Sequence, residues 1–176
     1  VTQTQVGLSK ERRTEDYKEL LYSNLEDMER LSKMVSDMLW LAKSENGLIT
    51  PTFGPINLHK EVQSLFDFFE ALAEDTHITL AIFGNASNIS GDRELIRRAL
   101  TNLLSNAIRH TPEGKTIKVV LVDTANDMVG ISITNEGSTI LSEHLERIFD
   151  RFYRVDHSRK RHSDGTGLGL AIVKTI

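Results

Sequence analysis

Asn102, Asn106 and Arg109 are the side chains of this sequence whose types and spacing best suit phosphate chemistry. They follow one another at intervals of four and three residues, so in a helix they form one polar stripe, over ~100° from the centre of the apolar face. An amide carbonyl is a neutral oxygen of the kind that Mg²⁺ accepts, and a guanidinium pairs with phosphate oxygens. The alternative is that both asparagines are simply exposed to solvent. The apolar residues of the segment gather on a separate face: Ile96, Leu100, Leu103, Leu104 and Ala107.

A glycine-rich stretch, residues 165–170, is the second feature suited to phosphate. A dinucleotide-binding fold needs a strand immediately before its glycines, whereas residues 157–164 are basic and polar. The glycines are therefore expected to open a helix, whose N–H groups and dipole favour phosphate. The motif is a weak signal alone and becomes a strong one beside the asparagine stripe.

Together these stretches resemble the nucleotide-binding boxes of sensor histidine kinases. Residues 102–110 are similar to the asparagine box, residues 149–154 to the phenylalanine box and residues 165–170 to the second glycine box. The order and spacing match, and the resemblance runs through almost the whole chain. Residues 24–44 and 66–75 resemble the heavy-metal (copper/silver) sensor branch in particular.

The resemblance implies particular roles on the asparagine helix. Asn106 stands at the family's Mg²⁺ ligand position. Asn102 stands where related ATPases of the gyrase, MutL and heat-shock chaperone type carry a glutamate general base, and an amide cannot take a proton from water. A site with Asn102 is expected to bind ATP while hydrolysing it slowly, which suits transfer of the γ-phosphoryl group. Arg109 and His110 are expected to pair with phosphate, and a capping or packed histidine is an equal alternative for His110.

The box that normally reads adenine departs from the family pattern. Its D-x-G-x-G sequence is replaced by Asn135, Gly137 and Thr139 at the three fixed positions. Asn135 keeps a carbonyl acceptor for the adenine amino group but loses the charge, and Thr139 replaces a glycine. Adenine recognition by Asn135 is expected, with less support than phosphate binding has.

Arg154 and the basic run 159–161 suggest a mobile lid over the triphosphate, and the alternative is an ordinary solvated loop. Phe149, Phe152 and Tyr153 are expected to form the apolar hinge of that lid. The implied catalytic residues are Asn102, Asn106 and Arg154. The implied nucleotide-binding residues, with Asn106 as the Mg²⁺ ligand, are Asn102, Asn106, Arg109, His110, Asn135, Gly137, Gly165, Thr166, Gly167, Leu168, Gly169 and Leu170.

Composition limits the remaining possibilities. The chain has 176 residues, 39% of them hydrophobic, and a net charge of −4, which argues against a general nucleic-acid binder. It has no cysteine, so a disulfide framework, an Fe–S cluster and a thiolate zinc site are excluded. No apolar run approaches the ~18 residues of a membrane span. We expect the cytoplasmic region of an inner-membrane protein, anchored through upstream segments.

A long periodic segment, residues 14–44, must carry the N-terminal part of the chain. Leu21, Met28, Val35 and Ala42 recur every seven residues, which suits a bundle helix. We expect half of a helical hairpin of a dimeric four-helix bundle within residues 1–46, and the alternative is a helix packed on its own domain. Asn46 and Gly47 should end the helix, and prolines and glycines indicate a linker over residues 47–56.

Residues 57–176 are expected to form the catalytic ATP-binding domain. Asn57, Asp92 and Ser142 should cap three helices, the last over residues 143–149. Strands are expected at residues 77–83, 116–122 and 128–134, the last two as a hairpin, with a short strand at best in 84–90. The fold class is α/β, a two-layer sandwich of the histidine-kinase ATPase (GHKL/Bergerat) type. The family fold usually adds two strands beyond Ile176.

The resulting prediction is a protein-histidine kinase that uses ATP and Mg²⁺. Its implied partners are a second copy of the chain, through the helical segment, and the receiver domain of a response regulator. None of the six histidines stands in an acceptor context such as H-E-x-R-T-P, so the acceptor is expected upstream of Val1. Two alternatives stay open: a gyrase- or MutL-type ATP hydrolase, against which Asn102 argues, and a non-catalytic dimerisation or adaptor module.

Overall fold

A long helix, α1 (Thr14–Glu45), leads into an α/β body. The computed structural model describes residues 13–155 and 165–176. Helix α1 confirms the prediction for residues 14–44 and ends at the expected place. The side-chain amide of Asn46 donates to the carbonyl oxygen of Ala42 (2.7 Å), and Gly47 adopts a positive φ of 64°. The first twelve residues of the helical segment predicted within residues 1–46 lie outside the described residues.

Helix α1 has two unlike faces. One face turns towards the α/β body and buries Asp37 and Leu41. The other is an apolar seam that is largely exposed in the described structure, with Met28 exposed to 68%. The seam consists of Leu21, Leu25, Met28, Leu31, Val35, Met38 and Leu39. An exposed apolar stripe of this length is typical of a surface that packs against another helix.

Five strands form two small sheets in the described residues. In the first, β1 (Phe53–Ile56) pairs antiparallel with β3 (Ile89–Asp92). In the second, β4 (Thr116–Asp123) lies between β2 (Thr79–Asn85) and β5 (Val129–Asn135). Strand β4 runs parallel to β2 and antiparallel to β5. The predicted hairpin of β4 and β5 is confirmed.

Helices α2 (Leu58–Asp75) and α3 (Arg93–His110) both begin at the predicted caps. Oδ1 of Asn57 accepts a hydrogen bond from the backbone N–H of Lys60 (2.9 Å), and Oδ1 of Asp92 accepts one from the N–H of Leu95 (3.0 Å). Each cap satisfies a backbone donor that the helix itself leaves without a partner.

The core lies between the β4-centred sheet and helices α2 and α3. Alternate residues of β4 point inward: Ile117, Val119 and Leu121 are at most 1% exposed. Both helices add their apolar stripes to the same cluster, which includes Leu65 of α2 and Leu104 of α3. A sheet covered on one face by two helices is the predicted two-layer α/β sandwich. Because the apolar stripe of α3 is anchored in this core, its polar stripe is turned elsewhere.

The linker predicted over residues 47–56 is shorter than expected, because Phe53–Ile56 form strand β1. Its partner, β3, overlaps only the last two residues of the segment 84–90, where a short strand at best is predicted, and continues to Asp92. Pro55 lacks a backbone N–H and is tolerated here because β1 is an edge strand of its two-stranded sheet. The backbone N–H of Thr52 also donates to Asp92 (2.7 Å), which ties this strand to the start of α3.

The helix predicted over residues 143–149 is only one turn long, α4 (Ser142–Leu145). Its N-cap is Leu141, so Ser142 is not the cap. Residues 146–149 form turns and do not continue the helix. Phe152 has a φ of 61°, and its N–H donates to the carbonyl oxygen of Gly167 (2.8 Å). The final helix, α5 (Gly169–Thr175), begins within the glycines as predicted.

Candidate functional site

Helix α3 carries the asparagine stripe, and its position depends on its N-cap residue, Asp92. The carboxylate of Asp92 accepts hydrogen bonds from the backbone N–H groups of Thr52 and Leu95, which hold the pKa of that carboxyl below its usual value. Leu104 of the opposite face is 1% exposed. The helix is therefore fixed at its start and along its apolar face, while Asn102 and Asn106 remain half-buried on the other side.

Asn102 lies against the first residue of α5. Its Nδ2 donates to the carbonyl oxygen of Arg98 (2.9 Å), which directs Oδ1 towards the glycine stretch. A Cβ added to Gly169 would lie 3.1 Å from Oδ1 of Asn102. A side chain at this position would therefore be a tight contact that Asn102 would have to relieve by a few tenths of an ångström. The structure thus brings together the asparagine stripe and the glycine stretch.

Two guanidinium groups reach Gly165 at the start of the glycine stretch. Nη1 of Arg154 donates to the carbonyl oxygen of Gly165 (3.4 Å). A Cβ on Gly165 would lie 3.4 Å from Nη1 of Arg109. Two permanent positive charges beside one backbone segment create an environment that favours an anion. The basic run 159–161, predicted to belong to the same lid, lies outside the described residues.

The phenylalanine stretch and the glycine stretch contact each other directly. Besides the hydrogen bond from Phe152 to Gly167, a Cβ on Gly167 would come within 2.8 Å of the Phe152 backbone. Gly167 also has a φ of 71°, which favours glycine. The hydroxyl oxygen of Thr166 accepts from the N–H of Leu168 (3.3 Å). These contacts give the glycine stretch a defined shape before α5 begins.

The predicted hinge of the lid is held by polar contacts as well as apolar ones. Nδ1 of His144 lies 2.6 Å from the hydroxyl oxygen of Tyr153, and the guanidinium of Arg147 lies 4.3 Å from the centroid of the Tyr153 ring. Phe149 and Phe152 are 37% and 49% exposed. The predicted hinge therefore also has two polar partners, His144 on α4 and Arg147 just after it. No local sequence pattern indicates them.

Asn135 and Gly137 meet the C-terminal end of α3. Nδ2 of Asn135 donates to the carbonyl oxygen of His110 (3.5 Å), an orientation that leaves Oδ1 as the acceptor on the other side of the amide. A Cβ on Gly137 would lie 2.4 Å from the same carbonyl oxygen, so a side chain there is excluded without backbone movement. His110 thus contacts this box through its backbone, and its side chain is exposed.

Leu168 serves a purpose that the sequence does not indicate. Its side chain is fully buried in a small cluster with Leu41 of α1 and Ile172 of α5, beside Met34 and Trp40. Only its backbone remains for the predicted contact with a nucleotide. Leu170 is half-buried. The glycine stretch therefore packs against α1. Trp40 and Leu41 lie on the face of α1 opposite the seam, and this spacing is the sequence signal that could have indicated the contact.

In the described ranges, 13–155 and 165–176, no helix is both long enough and apolar enough to cross a membrane.

Comparison with known proteins agrees with this geometry. Residues 91–176 match the family of histidine kinase-, DNA gyrase B- and HSP90-like ATPases. Over all 176 residues the chain is 51% identical to the sensor histidine kinase CusS of Escherichia coli K12, of which it spans 36%. The match to the family begins just before α3 and includes the asparagine helix and the glycine stretch.

Solved structures give the same result for the fold. The catalytic domain of histidine kinase ThkA is 30% identical, with a TM-score of 0.62 over 71% of this chain and 79% of that one. ThkA has also been solved in complex with the response regulator protein TrrA. Histidine kinase AdeS of Acinetobacter baumannii, at 23% identity, shares the fold over 99% of this chain and 79% of its own, with a TM-score of 0.76. The chain therefore belongs to the histidine kinase family and carries its ATP-binding catalytic domain.

Proposed function

We propose that this chain is the catalytic region of a sensor histidine kinase. It binds Mg–ATP and donates the γ-phosphoryl group to a histidine of the dimerisation domain, which passes the group to an aspartate of a response regulator. The contact between Asn102 and Gly169 is the observation that carries the proposal. It sets an amide beside the glycine stretch, at the position where a hydrolase needs a carboxylate that takes a proton from water.

The phosphate end of the site is formed by side chains that reach Gly165 and by Asn106. Arg109 and Arg154 supply positive charge to the phosphates, since both guanidinium groups approach Gly165. The half-buried side-chain carbonyl of Asn106 is a suitable ligand for Mg²⁺, which takes few protein oxygens besides phosphate oxygens. A bound Mg²⁺ would supply positive charge that offsets the charge of the phosphates. The backbone of residues 166–170 completes this end.

The transfer itself breaks the bond between the γ-phosphorus and the bridging oxygen of ADP and forms a bond to an imidazole nitrogen. In phosphoryl transfer the protein acts mainly by positioning and by charge stabilisation. Asn102 suits this role because it orients without activating water. Arg154 acts at the catalytic centre as a guanidinium that neutralises the transferred group.

Asn135 is proposed to read the base. Its Nδ2 is engaged by the carbonyl oxygen of His110, so Oδ1 is the atom directed to accept from the adenine amino group. Gly137 keeps the space beside it clear of a side chain. The amide thereby replaces the aspartate that the family pattern usually has at this position.

The partners follow from the exposed seam of α1 and from the relatives. We propose that the seam packs in a dimeric four-helix bundle, because its apolar side chains, from Leu21 to Leu39, are exposed here. A response regulator is the proposed recipient, as ThkA forms a complex with one. We also propose a role in heavy-metal signalling within an inner-membrane protein, which is supported by the resemblance of residues 24–44 and 66–75 to the heavy-metal sensor branch and by the 51% identity to the sensor histidine kinase CusS.

Calorimetric titration with ADP and with a non-hydrolysable ATP analogue, each with and without Mg²⁺, tests the proposal. We expect saturable binding of both nucleotides and tighter binding of the analogue when Mg²⁺ is present. A correctly folded chain that binds neither nucleotide contradicts the proposal and favours the adaptor alternative.

A further inference from the structure

Asp37 is a buried carboxylate that the proposed phosphoryl transfer does not use. It lies on α1, is 4% exposed, and accepts hydrogen bonds from two cations. Its Oδ1 lies 2.8 Å from Nη2 of Arg98 on α3, and its Oδ2 lies 2.9 Å from Nζ of Lys33. Asp37 and Arg98 are 61 residues apart in the chain. The pair therefore joins the long helix to the α/β body.

The guanidinium of Arg98 is also packed on an aromatic ring. Its Cζ lies 4.6 Å from the centroid of the Trp40 ring, a cation–π distance. At about 100° per residue, Asp37, Trp40 and Leu41 share one face of α1, opposite the exposed apolar seam. The charged pair and the apolar contact of Leu41 with Leu168 thus belong to one interface.

A buried charge is tolerated only where it is paired, and removing one partner of such a pair is strongly unfavourable. An apolar contact alone allows sliding, whereas a two-sided contact to one guanidinium, by a carboxylate and a ring, defines one position of α3 against α1. Arg98 is also the residue whose carbonyl oxygen accepts from Nδ2 of Asn102 (2.9 Å). Arg98 therefore contacts α1 through its side chain and Asn102, which faces Gly169, through its backbone.

We propose that Asp37, Arg98 and Trp40 form a latch that fastens α1 to the nucleotide-binding body and positions Asn102. Asp37 is then a positioning residue, since it acts on the site through Arg98. The fastening does not depend on the proposed function, whereas the effect on nucleotide binding rests on it. An exposed ion pair between Arg151 and Glu45 lies between the same two parts of the molecule and is expected to contribute little.

The single tryptophan of the chain makes the latch measurable. Acrylamide quenching of Trp40 fluorescence reports how far the ring is shielded, whatever the catalytic activity. We expect Asp37→Asn and Arg98→Gln each to raise the quenching constant severalfold, because the first removes the charge that holds the guanidinium over the Trp40 ring and the second removes the guanidinium itself. The matched control is Asp27→Asn, the same change at an exposed aspartate of the same helix, which should leave quenching unchanged. The double variant should be no more accessible than either single one.

These variants should stay folded, because the main core cluster contains no residue of α1 in the described structure, and far-UV circular dichroism checks this. Unchanged quenching in both folded single variants overturns the latch.

ADP titration then separates the two parts of the proposal. We expect Asp37→Asn to bind ADP severalfold more weakly than wild type and Asp27→Asn to bind it equally well. Raised quenching with unaltered ADP affinity overturns the positioning of Asn102. Absence of ADP binding in the wild-type chain overturns the proposed function, while the quenching result still decides the latch.

Discussion

Oδ1 of Asn102 lies against Gly169, 3.1 Å from the point that a Cβ on that residue would occupy. The two residues belong to α3 and α5, and strands β4 and β5 and helix α4 lie between them in the chain. Their contact brings an amide that cannot act as a base to the glycine stretch that opens the last helix. Under the proposed function, this arrangement is expected to bind ATP without hydrolysing it rapidly.

Gly137→Ala should destabilise the fold, because the added Cβ would lie 2.4 Å from the carbonyl oxygen of His110. The backbone must move to accept it, which costs about 1–3 kcal/mol. Urea unfolding followed by circular dichroism measures the loss. Gly54→Ala is the control, since nothing lies within 4 Å of its added Cβ. Equal stability of the two variants contradicts the close approach at Gly137.

Asn106→Ala should remove the Mg²⁺-dependent part of the affinity for ATP and leave the fold intact. The position is half-buried on the polar side of α3, outside the apolar core. Calorimetry with an ATP analogue, with and without Mg²⁺, measures the effect. Asn88→Ala, at an exposed asparagine immediately before β3, should behave as wild type. A variant at position 106 that retains the full Mg²⁺ effect would falsify the ligand assignment.

Asp92→Asn should lower stability at neutral pH and matter less as the solution becomes acidic. Hydrogen bonds from the N–H groups of Thr52 and Leu95 depress the pKa of Asp92 in the folded state. The resulting stabilisation is present above the unfolded-state pKa and is lost as pH falls through the folded value. Asparagine still caps a helix through Oδ1, but its Nδ2 replaces the oxygen that accepts from the N–H of Thr52, so both the charge and that hydrogen bond are lost. Urea midpoints at neutral pH and near pH 3 measure the effect, and a difference that stays constant or grows in acid refutes the assignment.

Asn135→Ala should weaken binding of ATP more than binding of an analogue that lacks the adenine amino group. One such hydrogen bond is worth ~1 kcal/mol net, which corresponds to about a fivefold change in affinity. Competition titrations of both ligands against wild type and variant measure the difference. Equal losses for the two ligands would mean that another residue recognises the base.

The sequence predicts those parts of the fold that depend on neighbouring residues. Asn57 and Asp92 cap their helices because a cap needs only a side chain within three residues of the N–H it satisfies. The hairpin of β4 and β5 follows from two β-rich runs joined by a turn. The asparagine stripe is equally local, since helical spacing alone defines it.

Contacts between distant segments are the part that sequence patterns do not contain. Strand β1 looks like a linker because Gly54 and Pro55 have low strand propensity, and only pairing with β3 makes it a strand. Asp37 is one of several acidic residues on α1, and nothing near it in the sequence indicates Arg98. Tertiary pairing decides such positions, so they emerge only from the structure.

Phosphoryl transfer to an acceptor supplied separately tests the kinase proposal most directly. The chain is incubated with γ-labelled ATP, Mg²⁺ and a dimerisation fragment that carries the acceptor histidine. Acid-labile label on the fragment and released phosphate are measured in parallel. We predict labelled acceptor, no phosphohistidine on the chain alone, since none of its six histidines stands in an acceptor context, and slow phosphate release because Asn102 is no base. Fast phosphate release with an unlabelled acceptor would contradict the account and identify a hydrolase instead.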